Sequence, residues 1–290
     1  MEMRSWLAIL LGLSFVAVGC SKSSNERQYR LQGQVLSVSA DRKEATVKHE
    51  EIKGLMPAMT MPYKVGEVRL LDGIVPGDLI DASLVVTPND AYLRAVKKVG
   101  QAPLEKPVPA NLDAPAASAG FELLKPGEPV PATHFIDQDG RPRDFTSFNG
   151  SMVVLTFIYT RCPMPTFCPL MDAHFATIQK SVKADAALRG RIQLVSVSFD
   201  PLTDTPPVLK RHAKTLAADP AVWTFLTGKR DDIDQFAARF GVAISRAEND
   251  PKDITHTLRT AVIGSDGKLL KVYTGNEWTP EQILAHLHKS

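Results

Sequence analysis

Cysteine is scarce in this chain, with three among 290 residues. That excludes a disulfide-rich scaffold. Charge of one sign is lacking too. Thirty-four Lys and Arg against 32 Asp and Glu leave a net charge of +2, so no basic excess points to nucleic acid. Past the N-terminus, no apolar stretch approaches membrane-spanning length. What remains, 44% hydrophobic and 23% charged residues, is the composition of a soluble globular protein. The length suffices for two ordinary domains, and no amphipathic stretch calls for an oligomer, so a monomer is expected.

The one long apolar run covers residues 7–18, behind Arg4, and ends in Ala17-Val18-Gly19-Cys20. This reads as a targeting segment over residues 1–20 and not as fold. Its end resembles a bacterial lipoprotein cleavage site, with Cys20 becoming the lipidated first residue. A plain signal peptide is the alternative. Residues 21–26 then form a flexible tether, and Ser21 points to the outer membrane in organisms that sort that way. Either reading exports the chain to the periplasmic side of a bacterial membrane. One cysteine pair, Cys162 and Cys168, is then left in an oxidising compartment.

That pair organises the chain. Met152 to Ile158 is a continuous apolar or β-branched run, the signature of a short buried strand. It leads into Cys162, and Pro163 and Pro165 keep the five residues before Cys168 out of a helix. Pro169 suits the first position of a helix, which makes Cys168 the expected N-cap. Met171, Phe175, Ile178 and Val182 follow on one face. Both sulfurs would sit at the positive end of that helix, which favours thiolate.

Residues 27–100 alternate short apolar runs with turns. Candidate strands are 31–38, 45–48, 68–71, 81–86 and 92–96, which suggests a small closed all-β barrel of the OB-like kind. Within it, His49 is followed by Met56, Met59 and Met61. Met59 and Met61 alternate, so on a strand they face one side. Methionine fills irregular cores, but thioether with imidazole is also a soft ligand set suited to Cu(I). Residues 101–119 are rich in Pro and Ala and form a semi-rigid linker.

From residue 120 to 290 strands alternate with helices. The strands are expected at 135–145 with a turn, 152–158, 192–199, 223–226, 258–263 and 269–273. Helices are expected from Pro169, from Pro206 with Thr205 as N-cap, around 233–240 ending at Gly241, and from Pro280 in a Thr279–Gln282 capping box. The pattern is that of an α/β domain with a mixed sheet and helices on both faces. Strand, cysteine motif, then helix is the thioredoxin arrangement.

A catalytic CxxC pair has two intervening residues; this one has five. A disulfide can still close over the loop, without the usual dithiol geometry. Two thiolates on such a loop can equally chelate one soft ion, and Cu(I) needs only a third ligand. His134 and His174 fall outside the expected mouth. His212 lies on an apolar helix face, and His286 and His288 lie near the surface. His256, in the loop before the 258–263 strand, faces the cysteine motif and is the preferred third ligand.

Two resemblances sharpen these expectations. PAMTMP, in residues 57–62, resembles the core motif of the CusF family of periplasmic copper-binding barrels. The resemblance implies Cu(I) bound by His49, Met59 and Met61. Met56 stands where that family places a Trp, as a ligand, a lid or neither. YTRCPMPTFCPLM, VSFDPLTDTPPVLKRHA and ITHTLRTAVIGSDGKLLKVYTG follow, in order, three segments of the Sco/SenC family. That resemblance implies a thioredoxin-like domain binding copper, Cu(I) or Cu(II), through Cys162, Cys168 and His256. Asp200 matches an acidic position near the metal. The family spaces its cysteines by three residues, and the wider loop here carries Met164, as a fourth soft ligand or a cover. Together the two resemblances imply an exported, tethered copper chaperone serving a copper enzyme, with a cytochrome c oxidase subunit as the expected receiver. The alternatives are a thiol–disulfide oxidoreductase working through a redox-active Cys162–Cys168 pair, and a copper buffer for metal resistance.

Overall fold

A computed structural model of the chain describes residues 26–56, 58–88, 90–104, 122–246 and 254–289. The leader, Cys20, most of the tether and most of the linker lie outside these. Five strands come first: β1 (Arg27–Val38), β2 (Glu44–His49), β3 (Met59–Val65), β4 (Asp78–Val86) and β5 (Ala91–Gln101). They close into a barrel in the order β1-β2-β3-β5-β4. Inward positions alternate along each strand, as the two-residue period of a pleated strand requires. Leu31, Val35, Val47, Met61, Tyr63, Ile80, Leu84 and Leu93 fill the interior.

Two details differ from the expected strands. Val68–Leu71 is a 3-10 turn; it buries Leu71 but leaves Val68 about half exposed, so a run of four apolar letters is not a strand here. The strand it displaces is β3, which contains Pro62. A proline is tolerated in a strand only where no neighbour needs its missing N–H. β3 pairs along its length with β2, but β5 reaches only Lys64 and Val65. The Met59-to-Tyr63 half of β3 therefore has an open side, and the barrel has a mouth there.

The second part is built on a seven-stranded mixed sheet. Its strands are β6 (His134–Asp137), β7 (Pro142–Asp144), β8 (Met152–Ile158), β9 (Ile192–Ser198), β10 (Trp223–Thr227), β13 (Arg259–Ile263) and β14 (Leu269–Thr274). Their order is β14-β13-β8-β9-β10-β6-β7. β8, β9 and β10 run parallel at its centre. All seven residues of β8 are buried, which is why that strand reads as an unbroken apolar run. Four helices cover the sheet: α1 (Cys168–Ala184), α2 (Pro206–Thr215), α3 (Arg230–Arg239) and α4 (Pro280–Leu287). Successive strand residues face opposite sides. Thr156 meets Thr260, whose hydroxyl contacts Met171 of α1, while Phe157 packs on Phe236 of α3. α1 and α3 thus lie on opposite faces. Met171, Phe175, Ile178 and Val182 are all buried, each contributing about 1.5–3 kcal/mol of apolar burial. The Thr279–Gln282 capping box forms as expected.

A separate two-stranded ribbon, β11 (Ile244–Arg246) with β12 (Ile254–His256), sits beside the barrel strand β3. His256 is therefore the last residue of a short strand, not a loop residue; three residues are too few to show a period in sequence.

Candidate metal centre

The carboxyl ends of parallel strands form the crevice where α/β sheets bind ligands, and β8 delivers the cysteine loop there. The loop is held at both ends. Asp204, fully buried, accepts hydrogen bonds from the Thr160 N–H at 2.9 Å, the Thr160 hydroxyl at 2.5 Å and the Ser198 hydroxyl at 2.6 Å. At the far end, the Asn276 amide donates to the Thr166 carbonyl at 2.7 Å. Between them, the Phe167 N–H closes a turn on the Met164 carbonyl at 3.1 Å. α1 begins at Cys168 itself, with Phe167 in the N-cap position, one residue earlier than the proline predicts.

The two cysteines are free thiols in unlike surroundings. Cys162 is half-buried, and a hydrogen bond from the Cys168 thiol pulls its own thiol below the ordinary value. Cys168 is buried, and burial pushes its thiol well up. The helix terminus alone would favour thiolate at both sulfurs; desolvation outweighs it at Cys168.

His256 comes to the same place from β12. Its Nδ1 lies 3.1 Å from the Thr257 carbonyl, which can only accept, so Nδ1 carries the proton. Nε2 keeps its lone pair and stands 4.0 Å from Cys168 Sγ. Tyr159 and Phe199, the residues after β8 and β9, enclose the ring at centroid distances of 5.7 and 4.3 Å. Burial lowers its pKa to about 4, so the imidazole is neutral and fit to bind a metal at pH 7. Thr257 fixes the strand end: its N–H donates to the Ala243 carbonyl and its hydroxyl to the Gly241 carbonyl. Sequence reasoning missed Tyr159, Phe199 and Thr257. The two aromatics each directly follow a buried strand, which was the available signal.

Among the described residues, no three His, Cys, Asp or Glu side chains are already closed around a common point. The adjustment needed at one pair is small. Metal–sulfur and metal–nitrogen bonds of about 2.3 and 2.0 Å, set at a trigonal angle, place the two donors roughly 3.7 Å apart, against the observed 4.0 Å. Two thiols and an unprotonated imidazole nitrogen are a soft set that fits Cu(I). Asp200 does not join them. It is buried, and its carboxylate accepts from the Arg161 guanidinium at 2.7 Å. Its place is to steady the residue next to Cys162.

The barrel holds a second donor group. His49 and Met59 are cross-strand partners on β2 and β3, as are Val47 and Met61. Directly opposed residues share a face, so His49, Met59 and Met61 all point inward. His49 is buried, and its Nδ1 donates to the Glu50 carbonyl at 2.6 Å. That leaves Nε2 a buried acceptor with no hydrogen-bond partner. Burial lowers its pKa. An orphaned imidazole nitrogen on the strand face that also carries two thioethers is costly unless something binds it, and a soft cation would. Met56 is buried in the same cluster, within 3.9 Å of the Tyr63 hydroxyl.

The remaining histidines are accounted for otherwise. His134 pairs with Asp144, His174 packs on Trp278, His212 bonds Asp172 at 2.9 Å, and His288 pairs with Asp185. His286 stands in α4.

Comparison with known proteins agrees with this division. Residues 129–290 match the model of the SCO1/SenC family, and residues 28–98 match that of the copper binding periplasmic protein CusF. The SCO1 protein homolog of Bacillus subtilis is 35% identical over 147 residues, half of this chain and 74% of that protein. A SCO2-like protein of Rickettsia felis is 26% identical over 215 residues, 72% of this chain and 94% of that one. The crystal structure of a SCO1/SenC family lipoprotein from Bacillus anthracis superposes with a TM-score of 0.50 at 30% identity, covering 58% of this chain and 98% of that one.

Proposed function

Because the chain belongs to the SCO1/SenC family, we propose that it is an exported copper-binding protein that loads a copper enzyme. Copper is its cargo. Cys162, Cys168 and His256 hold the ion to be delivered; His49, Met59 and Met61 form a second Cu(I) site in the barrel. The observation that carries this reading is the free His256 Nε2 set 4.0 Å from a thiol that the cysteine loop presents. The orphaned His49 Nε2 supports the barrel site. Family membership favours a cytochrome c oxidase subunit as receiver. Lipid attachment at Cys20 would tether the chain to its membrane, a reading supported by the lipoprotein among its structural relatives.

The unlike thiols favour one further role. A half-buried, acidified Cys162 beside a buried Cys168 is the asymmetry of an attacking and a resolving thiol. Reduction of a client's cysteines before loading is therefore a second activity of the same pair.

Copper stoichiometry tests the primary reading. The reduced chain should take up two equivalents of Cu(I), and the Cys162→Ser/Cys168→Ser chain one. The same loss of one equivalent is expected for His49→Ala/Met59→Ala. Uptake untouched by either pair of substitutions would end the proposal.

A further inference from the structure

Met164 sits in the loop between the cysteines, yet it is not buried in the core of its own sheet. It is 3% exposed and belongs to the apolar cluster of the barrel, together with Met56 and Met61. Cys162 and Phe167 lean on that cluster from the same loop. Around them lies a cavity of about 290 Å³, which Met56, Met59 and Met61 line from one side and Cys162, Met164 and His256 from the other. The cavity opens at the unpaired half of β3, beside which β12 carries His256. Two soft-donor groups thus line one cavity, and Met164 of the cysteine loop is buried in the barrel's cluster beside it.

We propose that Met164 is a shared ligand of both centres, which carries Cu(I) from the barrel to the thiol pair across this cavity without release to bulk water. The proposal rests on the copper-binding reading above. Copper stays monovalent throughout. In the first exchange a bond to Met164 Sδ forms as a barrel thioether bond breaks. In the second a Cys162 sulfur bond forms as the Met164 bond breaks, and the entering thiol yields its proton to solvent. The loop suits this task. The incoming thiol and the outgoing thioether belong to residues two apart in the sequence, and the Cys162 thiol lies 3.9 Å from the Met164 carbonyl. The anchor of Thr166 on Asn276 holds the loop's other end still. The five-residue spacing is then a reach: the longer loop lets a residue between the cysteines enter the barrel's mouth.

Packing alone would also bury a methionine, so the test has to separate sulfur from volume. In the whole chain carrying Cys162→Ser/Cys168→Ser and methyl-labelled methionine, one equivalent of Cu(I) under anaerobic conditions should shift the methyl resonances of Met59, Met61 and Met164 together. Shifts at Met59 and Met61 without Met164 would refute the shared ligand and leave the barrel site standing. No shift at any methionine would refute the barrel site, and the proposal with it. Met164→Leu in the otherwise native chain conserves volume. It should slow, at least tenfold, the growth of copper–thiolate absorbance after Cu(I) is added. An unchanged rate would make Met164 a packing residue only.

Discussion

Gly33 offers a way to move one proposed copper ligand, His49, without touching it. On β1 it stands directly opposite His49 of β2. A Cβ at position 33 would lie 2.5 Å from the Lys48 carbonyl oxygen, 2.7 Å from His49 Cα and 2.8 Å from Val47 Cγ1. Two of these are backbone atoms and cannot swing aside. Restoring an ordinary contact of 3.4 Å requires a retreat of 3.4 − 2.5, about 0.9 Å. Metal sites tolerate roughly 0.2 Å in ligand position. The Gly33→Ala strand shift therefore takes the His49 nitrogen out of range of Met59 and Met61. Overpacking of this kind costs about 1–3 kcal/mol, which a five-stranded barrel can survive. Competition titration with a Cu(I) chelator, in the chain lacking Cys162 and Cys168, should show the barrel's affinity weakened about 10–100-fold, the range seen when the supports of a metal ligand are disturbed. In the chain with its cysteines intact, the other centre should keep its copper. Unchanged affinity together with an unchanged unfolding midpoint would show that His49 does not ligate from this strand position, and would remove the steric reasoning with it.

Acid should weaken the fold through His256. Its pKa is about 4 folded against 6.5 unfolded, so below 6.5 the unfolded chain binds the proton more readily and stability falls as pH drops toward 4, by at most about 3 kcal/mol. Urea midpoints of the reduced apo chain between pH 4 and 7 should slope less in His256→Gln, and an identical slope would refute the assignment. Alkylation followed by mass spectrometry should find Cys162 labelled well before Cys168, because only Cys162 combines exposure with an acidified thiol; equal labelling would contradict the asymmetry. His212→Leu leaves the buried Asp172 carboxyl without the partner that opposes its desolvation, at a cost of about 2–3 kcal/mol. Asp172→Asn on the same background should recover part of the loss in thermal unfolding, and no recovery would mean the pair is not coupled.

The sheet was legible because its signals are long or redundant. β8 is apolar in all seven positions, α1 carries four apolar residues at helical spacing, and α4 opens with proline inside a capping box. The barrel's strand count was legible as well, but not which run formed its third strand. Apolar letters at 68–71 outweighed a strand interrupted by Pro62, because sequence does not show that the neighbouring strand leaves that proline unpaired. At the candidate centre, the sequence shows which soft-donor residue types are present. What sequence could not supply is direction: the carbonyls of Thr257 and Glu50 accept hydrogen bonds from the Nδ1–H groups of His256 and His49, so each Nε2 keeps its lone pair.

On the proposed copper-binding reading, the unlike burial of the two cysteines would set an order on copper exchange. A soft cation approaching from the barrel side meets Cys162 and Met164, both of which line the cavity. Cys168 lies deeper, at the first position of α1, and burial holds its proton on. Only when a cation is already beside it does thiolate become favourable there, since a nearby positive charge offsets the desolvation that opposes ionisation. On the proposed route, bonds to Cys162 and His256, which both line the cavity, would precede the bond to Cys168, which does not. A receiver that docks at the same mouth must reach Cys162 before Cys168, so copper would leave in the reverse order. The barrel already occupies that mouth through Met164 and the open half of β3. If the chain delivers copper as proposed, the barrel would have to move off the cysteine loop, and residues 101–119 join the two parts. On the proposed reading, loading and delivery would be exclusive states of one chain, separated by withdrawal of Met164, with Cys162 and Phe167 beside it, from the barrel's apolar cluster.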